Sequence, residues 1–214
     1  MTVSTTSATN NTPTAVADVG VVTSTITIAG AGTYLWDVDV TTSLQHTFSA
    51  DLDVTLTSPA GTVVTLTTDN GAGNDNVFDG TVWDDQGGTA ATDFVYANLT
   101  TATPLVAEEA LGAFRGEDPN GTWTITISDD LSGDTGSLNA WTLDLFTLPI
   151  APINTTATFS NNTPTPIADV AANSTTITVS GAGTSLTALD LTTNITHTFA
   201  ADMDITLTDR KSVV

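Results

Sequence analysis

ADLDVTLTSPAGTVVTLTT, residues 50–68, decides the fold class. Leu52, Val54 and Leu56 alternate with Asp53, Thr55 and Thr57, the period of a strand with one buried face. Ser58-Pro59-Ala60-Gly61 is turn chemistry, because Pro presets φ and Gly accepts a positive φ. Val63, Val64 and Leu66 then restart an apolar strand. The stretch predicts an antiparallel hairpin with one face in a core and no catalytic residue of its own.

The same alternation recurs on both sides. Thr23 to Ile28 is a predicted strand with Ile26 and Ile28 inward. Tyr34 to Val40 is a second, with Trp36, Val38 and Val40 on one face and Asp37 and Asp39 on the other. Ser43 to Ser49 is a third, carrying Leu44, His46 and Phe48. Downstream, Asp69 to Gly88 is a long acidic loop, Ala91 to Leu105 is weakly patterned, and Leu111 to Asn120 is a loop anchored by Phe114. Thr122 to Ser128 places Trp123, Ile125 and Ile127 on one face, and Leu138 to Phe146 closes the domain. About eight short strands between turn signals, with no sustained helical period, predict an all-β, antiparallel, jelly-roll-like β-sandwich. Its expected span is 23–148, after a Thr/Asn/Ser-rich linker and lead-in over 1–22 and before a linker over 149–162.

Composition bounds the partners. The 214 residues hold 24 acids and 3 bases, a formal net charge of −21. No basic patch exists to neutralise phosphates, so nucleic acid and anionic membrane are poor partners, and neither nucleic-acid binding nor membrane insertion is expected. No apolar run is long enough to span a bilayer. There is no cysteine. The opening MTVSTTSATNN has neither a basic n-region nor an apolar h-region, so an export signal is expected to lie upstream.

Residues 4–57 align without a gap to 155–208, at an offset of 151. NNTPTAVADV (10–19) returns as NNTPTPIADV (161–170), and HTFSADLDVTLT (46–57) returns as HTFAADMDITLT (197–208). The spacing is one domain plus a linker, so the chain reads as one complete domain and an incomplete second copy over 163–208. That copy lacks the closing strands, and its sheet edge and apolar face are expected to stand open. Asp209 to Val214, DRKSVV, match nothing in the first copy and resemble a sequencing-adapter frame, so read-through is expected there.

HTFSADLDVTLTSPAGT (46–62), NGTWTITISD (120–129) and GSLNAWTLDL (136–145) resemble the P domain, or P/Homo B domain. In that family an H-T-F/Y strand runs into D-L-x-I/V-x-L-x-S-P-x-G-T, followed by N-G-x-W and G-x-L/I-x-x-W-x-L blocks. The resemblance covers residues 24–146, with Ala50 standing where the family often has Gly. It implies a non-catalytic jelly roll that follows and stabilises a subtilisin-like protease domain, or a module of large secreted or cell-surface bacterial proteins. Neighbouring domains of the same polypeptide, a protease catalytic domain, or a surface glycan or protein are then the implied partners.

The acidic loop is the candidate metal site. Hard oxygen donors with glycines to bend the backbone suit Ca²⁺ better than Mg²⁺. Bacterial P domains resemble it in carrying a D-N-x-F…W-D-D run, which implies Asp75, Asp84 and Asp85 as ligands with Asp69 and Asp79 as helpers. The plainer reading is ordinary Asx and Gly turn chemistry. Trp83, placed in that loop, is a candidate platform for a sugar or protein partner, against simple packing. Asp134-Thr135-Gly136 mimics protease triplets but lacks a second triplet or a Ser–His partner set, and reads as a turn. His46 and His197 read as core or edge residues, with Asp129 ordering the turn after it. Glu108, Glu109, Glu117 and Asp118 form a possible second acidic rim, with Arg115 as local counter-charge.

Overall fold

The computed structural model describes residues 2–153, 155–169, 171–183, 186 and 188–209. The chain divides into two compact units, Met1–Pro152 and Ile153–Val214.

The first unit is built from β1 (Ser4–Asn10), β2 (Thr14–Val16), β3 (Gly20–Ile28), β4 (Tyr34–His46), β5 (Leu52–Thr57), β6 (Val63–Thr68), β7 (Asp79–Trp83), β8 (Thr89–Ala90), β9 (Leu105–Val106), β10 (Gly121–Asp129) and β11 (Gly136–Leu148). One sheet runs β1-β11-β4-β7-β9-β8, with β2 also on β11; the other runs β3-β10-β5-β6. All pairings are antiparallel except the short contacts of β9. Leu35, Val38, Val40, Leu44, Trp141 and Leu143 of the larger sheet are buried, as are Leu52, Val54, Leu56, Trp123, Ile125 and Ile127 of the smaller. Alternation at period two on both sheets is what a two-layer core requires.

The pairing pattern divides the unit in an unexpected way. β1, β2 and β4 hydrogen-bond to β11, and β3 and β5 hydrogen-bond to β10. Among the described residues, none of β1–β5 pairs with another of the five. The first half of the domain is thus two sets of separated strands, and β10 in one sheet and β11 in the other fill the gaps.

Three expectations are corrected. Residues 1–22 are not a lead-in: β1 and β2 add to the edge of β11, and the Asn10 amide donates to Ser24 Oγ (3.1 Å) and Thr25 O (3.0 Å). Their small polar side chains carry no period because β1 is held by its backbone ladder at a sheet edge. Tyr34–His46 is one strand, since the Thr41-Thr42 step stays paired. Within it a bulge between the Asp37–Phe146 and Leu35–Thr147 pairs resets the alternation. Leu35 therefore takes the core position expected for Trp36, which is half-buried beneath the Arg115 guanidinium, 4.8 Å from the ring centroid. Third, the predicted loop over 69–88 contains β7, whose Thr81 and Trp83 are buried.

In the second unit the described residues form no β-strand, only a 3-10 turn over Ala200–Asp202. Most of its described apolar residues are exposed, including Leu186 at 71% and Ile205 at 62%, where their counterparts Leu35 and Val54 stand at 0%. The expected read-through segment lies, apart from Asp209, outside the described residues.

Candidate functional site

The five acids read as metal ligands are dispersed by their local bonding. Asp79 opens β7 and accepts from Ser43 Oγ (2.6 Å) and Gln45 Nε2 (2.8 Å). Both Asp85 oxygens are taken by the N–H groups of Leu111 (2.9 Å) and Gly112 (2.7 Å), at the start of the 3-10 turn Leu111–Phe114. That turn seats Phe114 edge-on to Trp123, 5.1 Å between centroids. Asp75 is held through its backbone, its N–H donating to Asn98 Oδ1 (2.6 Å) and its carbonyl accepting from Leu99. Asp69 is exposed and adds repulsion to Asp53, which burial already pushes up. The loop is fastened by its asparagines: Asn74 Nδ2 donates to Gly71 O (2.7 Å), and Asn76 Oδ1 accepts from the His46 N–H (2.9 Å). Among the described residues no group of three or more acids, His or Cys is arranged to hold a metal ion as it stands.

Asp84 belongs to a different cluster, which the sequence reading missed. The outward face of β4 carries Asp37 and Asp39, and Asp39 stands directly opposite Asp144 of β11 in register. Burial, then repulsion from Asp84, Asp37, Asp144 and Asp85, pushes Asp39 up to about 6. Its Oδ1 is buried with no hydrogen-bond partner. Asp37 is also raised by burial, with Asp84 adding and Arg115 opposing. Gln86 mediates: with its amide nitrogen turned toward the acids it donates to Asp37 Oδ2 (2.8 Å) and Asp84 Oδ1 (3.2 Å). The signal available in the sequence was WDVDV, whose outward aspartates were noted only as a polar face.

A second buried polar group joins the sheets. His46 at the end of β4 and Asp129 at the end of β10 are both 1% exposed, with Nε2 and Oδ2 3.1 Å apart. His46 Nδ1 lies 2.7 Å from Phe48 O. The Phe48 N–H also approaches Nδ1 at 3.3 Å, so the ring is fixed from both sides, with Nε2 facing the Asp129 carboxylate. Asp129 Oδ1 also accepts from the Leu131 N–H, ordering the turn as expected. Asp51, 2% exposed, is raised by burial and by Asp129 and Asp134, with His46 opposing.

The remaining candidates resolve into structural roles. Trp83 is 1% exposed and donates through Nε1 to Thr42 Oγ1 (3.1 Å), so it offers no platform to a sugar. Asp134 accepts from Thr47 Oγ1 (2.7 Å), and a Cβ on Gly136 would stand 2.2 Å from Gln45 O. The Asp-Thr-Gly triplet is therefore a turn pressed against β4. Glu108 and Glu109 accept the outward N–H groups of Thr68 (2.7 Å) and Thr65 (2.8 Å), closing the free edge of β6.

A two-sheet antiparallel sandwich, with its motif residues in the core and at the inter-sheet pair, defines a β-sandwich module whose surface chemistry is acidic. The profile of the proprotein convertase P-domain matches residues 35–145, and the chain belongs to that family. It is 29% identical over 108 residues to a "Calcium-dependent protease" of Trichormus variabilis and 31% identical over 124 residues to one of Nostoc sp.. These matches take in 50% and 58% of this chain and only 13% and 16% of those proteins. Two crystal structures of an Aeromonas sobria serine protease, one with its chaperone, overlap 69% of the chain at 22% and 21% identity, with TM-scores of 0.48 and 0.47. The overlap takes in 27% and 28% of those chains. No helix among the described residues is long and apolar enough to cross a membrane.

Proposed function

We propose that residues 1–152 are a non-catalytic accessory module of a larger extracellular polypeptide, stabilised by Ca²⁺ at the Asp37–Asp39–Asp84 face. The observation that carries the cation reading is the orphaned, buried Oδ1 of Asp39 among four like charges. A divalent cation relieves that repulsion, and carboxylates with an amide oxygen from a rotated Gln86 are the donor type Ca²⁺ takes. The names of the two relatives, calcium-dependent proteases, point the same way. Of the five acids first read as ligands, Asp84 is the one this reading keeps at the centre; Asp69, Asp75, Asp79 and Asp85 serve the backbone and the strand ends. The non-catalytic reading rests on His46, whose two ring nitrogens are both engaged inside the core.

Thermal melting of the full chain tests this. Millimolar Ca²⁺ raises the first unit's Tm, Mg²⁺ at the same concentration raises it less, and Asp39→Asn/Asp84→Asn abolishes the rise. Equal melting with and without Ca²⁺ overturns the cation reading. The internal repeat favours a second setting, an array of such modules acting as spacer or adhesion unit. A triad-bearing domain in the adjoining reading frame selects the protease setting, and further copies select the array.

A further inference from the structure

We infer that the open edge of β1 is a self-association surface, which takes β1 of a second copy of this chain in antiparallel register about Ser7. β1 ends the larger sheet. Its seven residues pair with β11 on one side, and among the described residues no strand lies on the other. The remaining edges of the first unit are covered or too short to template a strand. Glu108 and Glu109 take the outward N–H groups of β6 at Thr68 and Thr65. The Asn10 amide meets Thr25 O on β3. β8 is two residues long, and Pro13 stands immediately before β2. β1 carries none of the devices that keep an edge strand single: no charge, no proline and no bulge in its ladder.

Charge and self-complementarity point to a second copy as the occupant. The chain carries −21, yet residues 1–17 contain no acidic or basic side chain, so two such acidic bodies can meet there with little repulsion. The acid nearest the edge is Asp144, opposite Ser7 on β11. Across a joined edge two copies of Asp144 lie three strand spacings apart, about 14 Å. That exceeds the screening length of about 8 Å at physiological ionic strength. Thr5, Ser7 and Thr9 are exposed, while Thr6, Ala8 and Asn10 are half-buried. A one-residue slip would set outward residues opposite inward ones, and a two-residue slip would lose two of the seven pairs. The two-fold axis therefore passes through Ser7, with Thr5 facing the partner's Thr9. Hydroxyl-bearing pairs of this kind are favourable across strands, and the same face already holds one, Thr9 Oγ1 to Thr142 Oγ1 at 2.9 Å.

Sedimentation of the full chain from about 1 μM to about 1 mM, in about 0.15 M salt, reads the association. The mass doubles across this range, as expected of an interface in the smallest size class. Thr5→Lys/Thr9→Lys sets like charges opposite each other at two pairs and weakens the dimer about tenfold, although it lowers the net charge and so eases general repulsion. Thr5→Lys/Thr9→Glu leaves the net charge unchanged, sets opposite charges at the same two pairs, and dimerises at least as tightly as the parent. Thr5 and Thr9 are exposed, so both variants keep the fold. Three results overturn the inference. The first is a single monomer mass up to about 1 mM. The second is association untouched by Thr5→Lys/Thr9→Lys, which assigns the contact to another face. The third is a Thr5→Lys/Thr9→Glu variant as weak as Thr5→Lys/Thr9→Lys, which denies the register about Ser7.

Discussion

Asp39→Asn isolates the electrostatic cost of the acidic face. Asp39 is held at about 6 against an ordinary value of 3.8, so the folded state binds its proton more tightly than the unfolded chain does. Ionised Asp39 therefore destabilises the fold. That cost is fully present above pH 6, fades as pH falls from about 6 towards 3.8, and is absent below. The difference of about two pH units, at 1.36 kcal/mol each, sets a ceiling of about 3 kcal/mol. Asp39 is only partly buried on a wet face, and solvent screening reduces the figure to about 1 kcal/mol. The substitution keeps the shape and deletes the charge. Without divalent cations and at low salt, it should raise stability at pH 7.5 by about 1 kcal/mol, or roughly 2–4 °C in the Tm of a body this size. The gain should shrink at pH 4.5 and at high salt. Urea unfolding at both pH values, followed by Trp fluorescence, measures it. A variant no more stable than the parent at pH 7.5 and low salt refutes the repulsion argument.

The remaining expectations concern buried polar anchors. Asp129→Asn removes one partner of the His46 pair and should cost about 3–5 kcal/mol by urea unfolding. Replacing both partners together, His46→Leu/Asp129→Leu, should recover much of that loss, and a double variant as unstable as the single would show that shape rather than charge pairing governs the site. Asp85→Ala frees the Leu111 and Gly112 N–H groups and should cost about 2 kcal/mol, at roughly 1 kcal/mol per hydrogen bond. Those two amides should then exchange faster while β10 amides keep their protection; unchanged exchange at Leu111 and Gly112 would remove the anchoring role.

What was legible in the sequence was whatever a period of two exposes. Leu52, Val54 and Leu56, and likewise Trp123, Ile125 and Ile127, alternate without interruption, and each run lies buried on one sheet. Leu35 and Trp36 were transposed because a bulge changes the phase without any mark in composition. β1 was invisible for a different reason: an edge strand of Ser, Thr and Ala is held by backbone bonds, and these carry no side-chain signature. The Asp39 cluster was not legible because it is assembled by strand register and not by proximity in sequence. Asp69, Asp75 and Asp79 are near Asp84 along the chain, yet register sets Asp39 opposite Asp144, 105 positions away. His46 and Asp129, 83 residues apart, could be paired only once β4 and β10 were placed on facing sheets.

The interleaving of early and late strands has a consequence for synthesis. Once β5 has left the ribosome, β1–β5 have no partner among themselves. β6 and β7 then pair with β5 and β4, yet the gaps between β3 and β5 and between β1 and β4 stay open until residue 121 and beyond emerge. Closure is a long-range event, slow by its topology. Nascent chain in the cell is then at its most vulnerable to clumping before β10 and β11 emerge, and a pause placed after residue 148 would do more to rescue yield than one placed after residue 57.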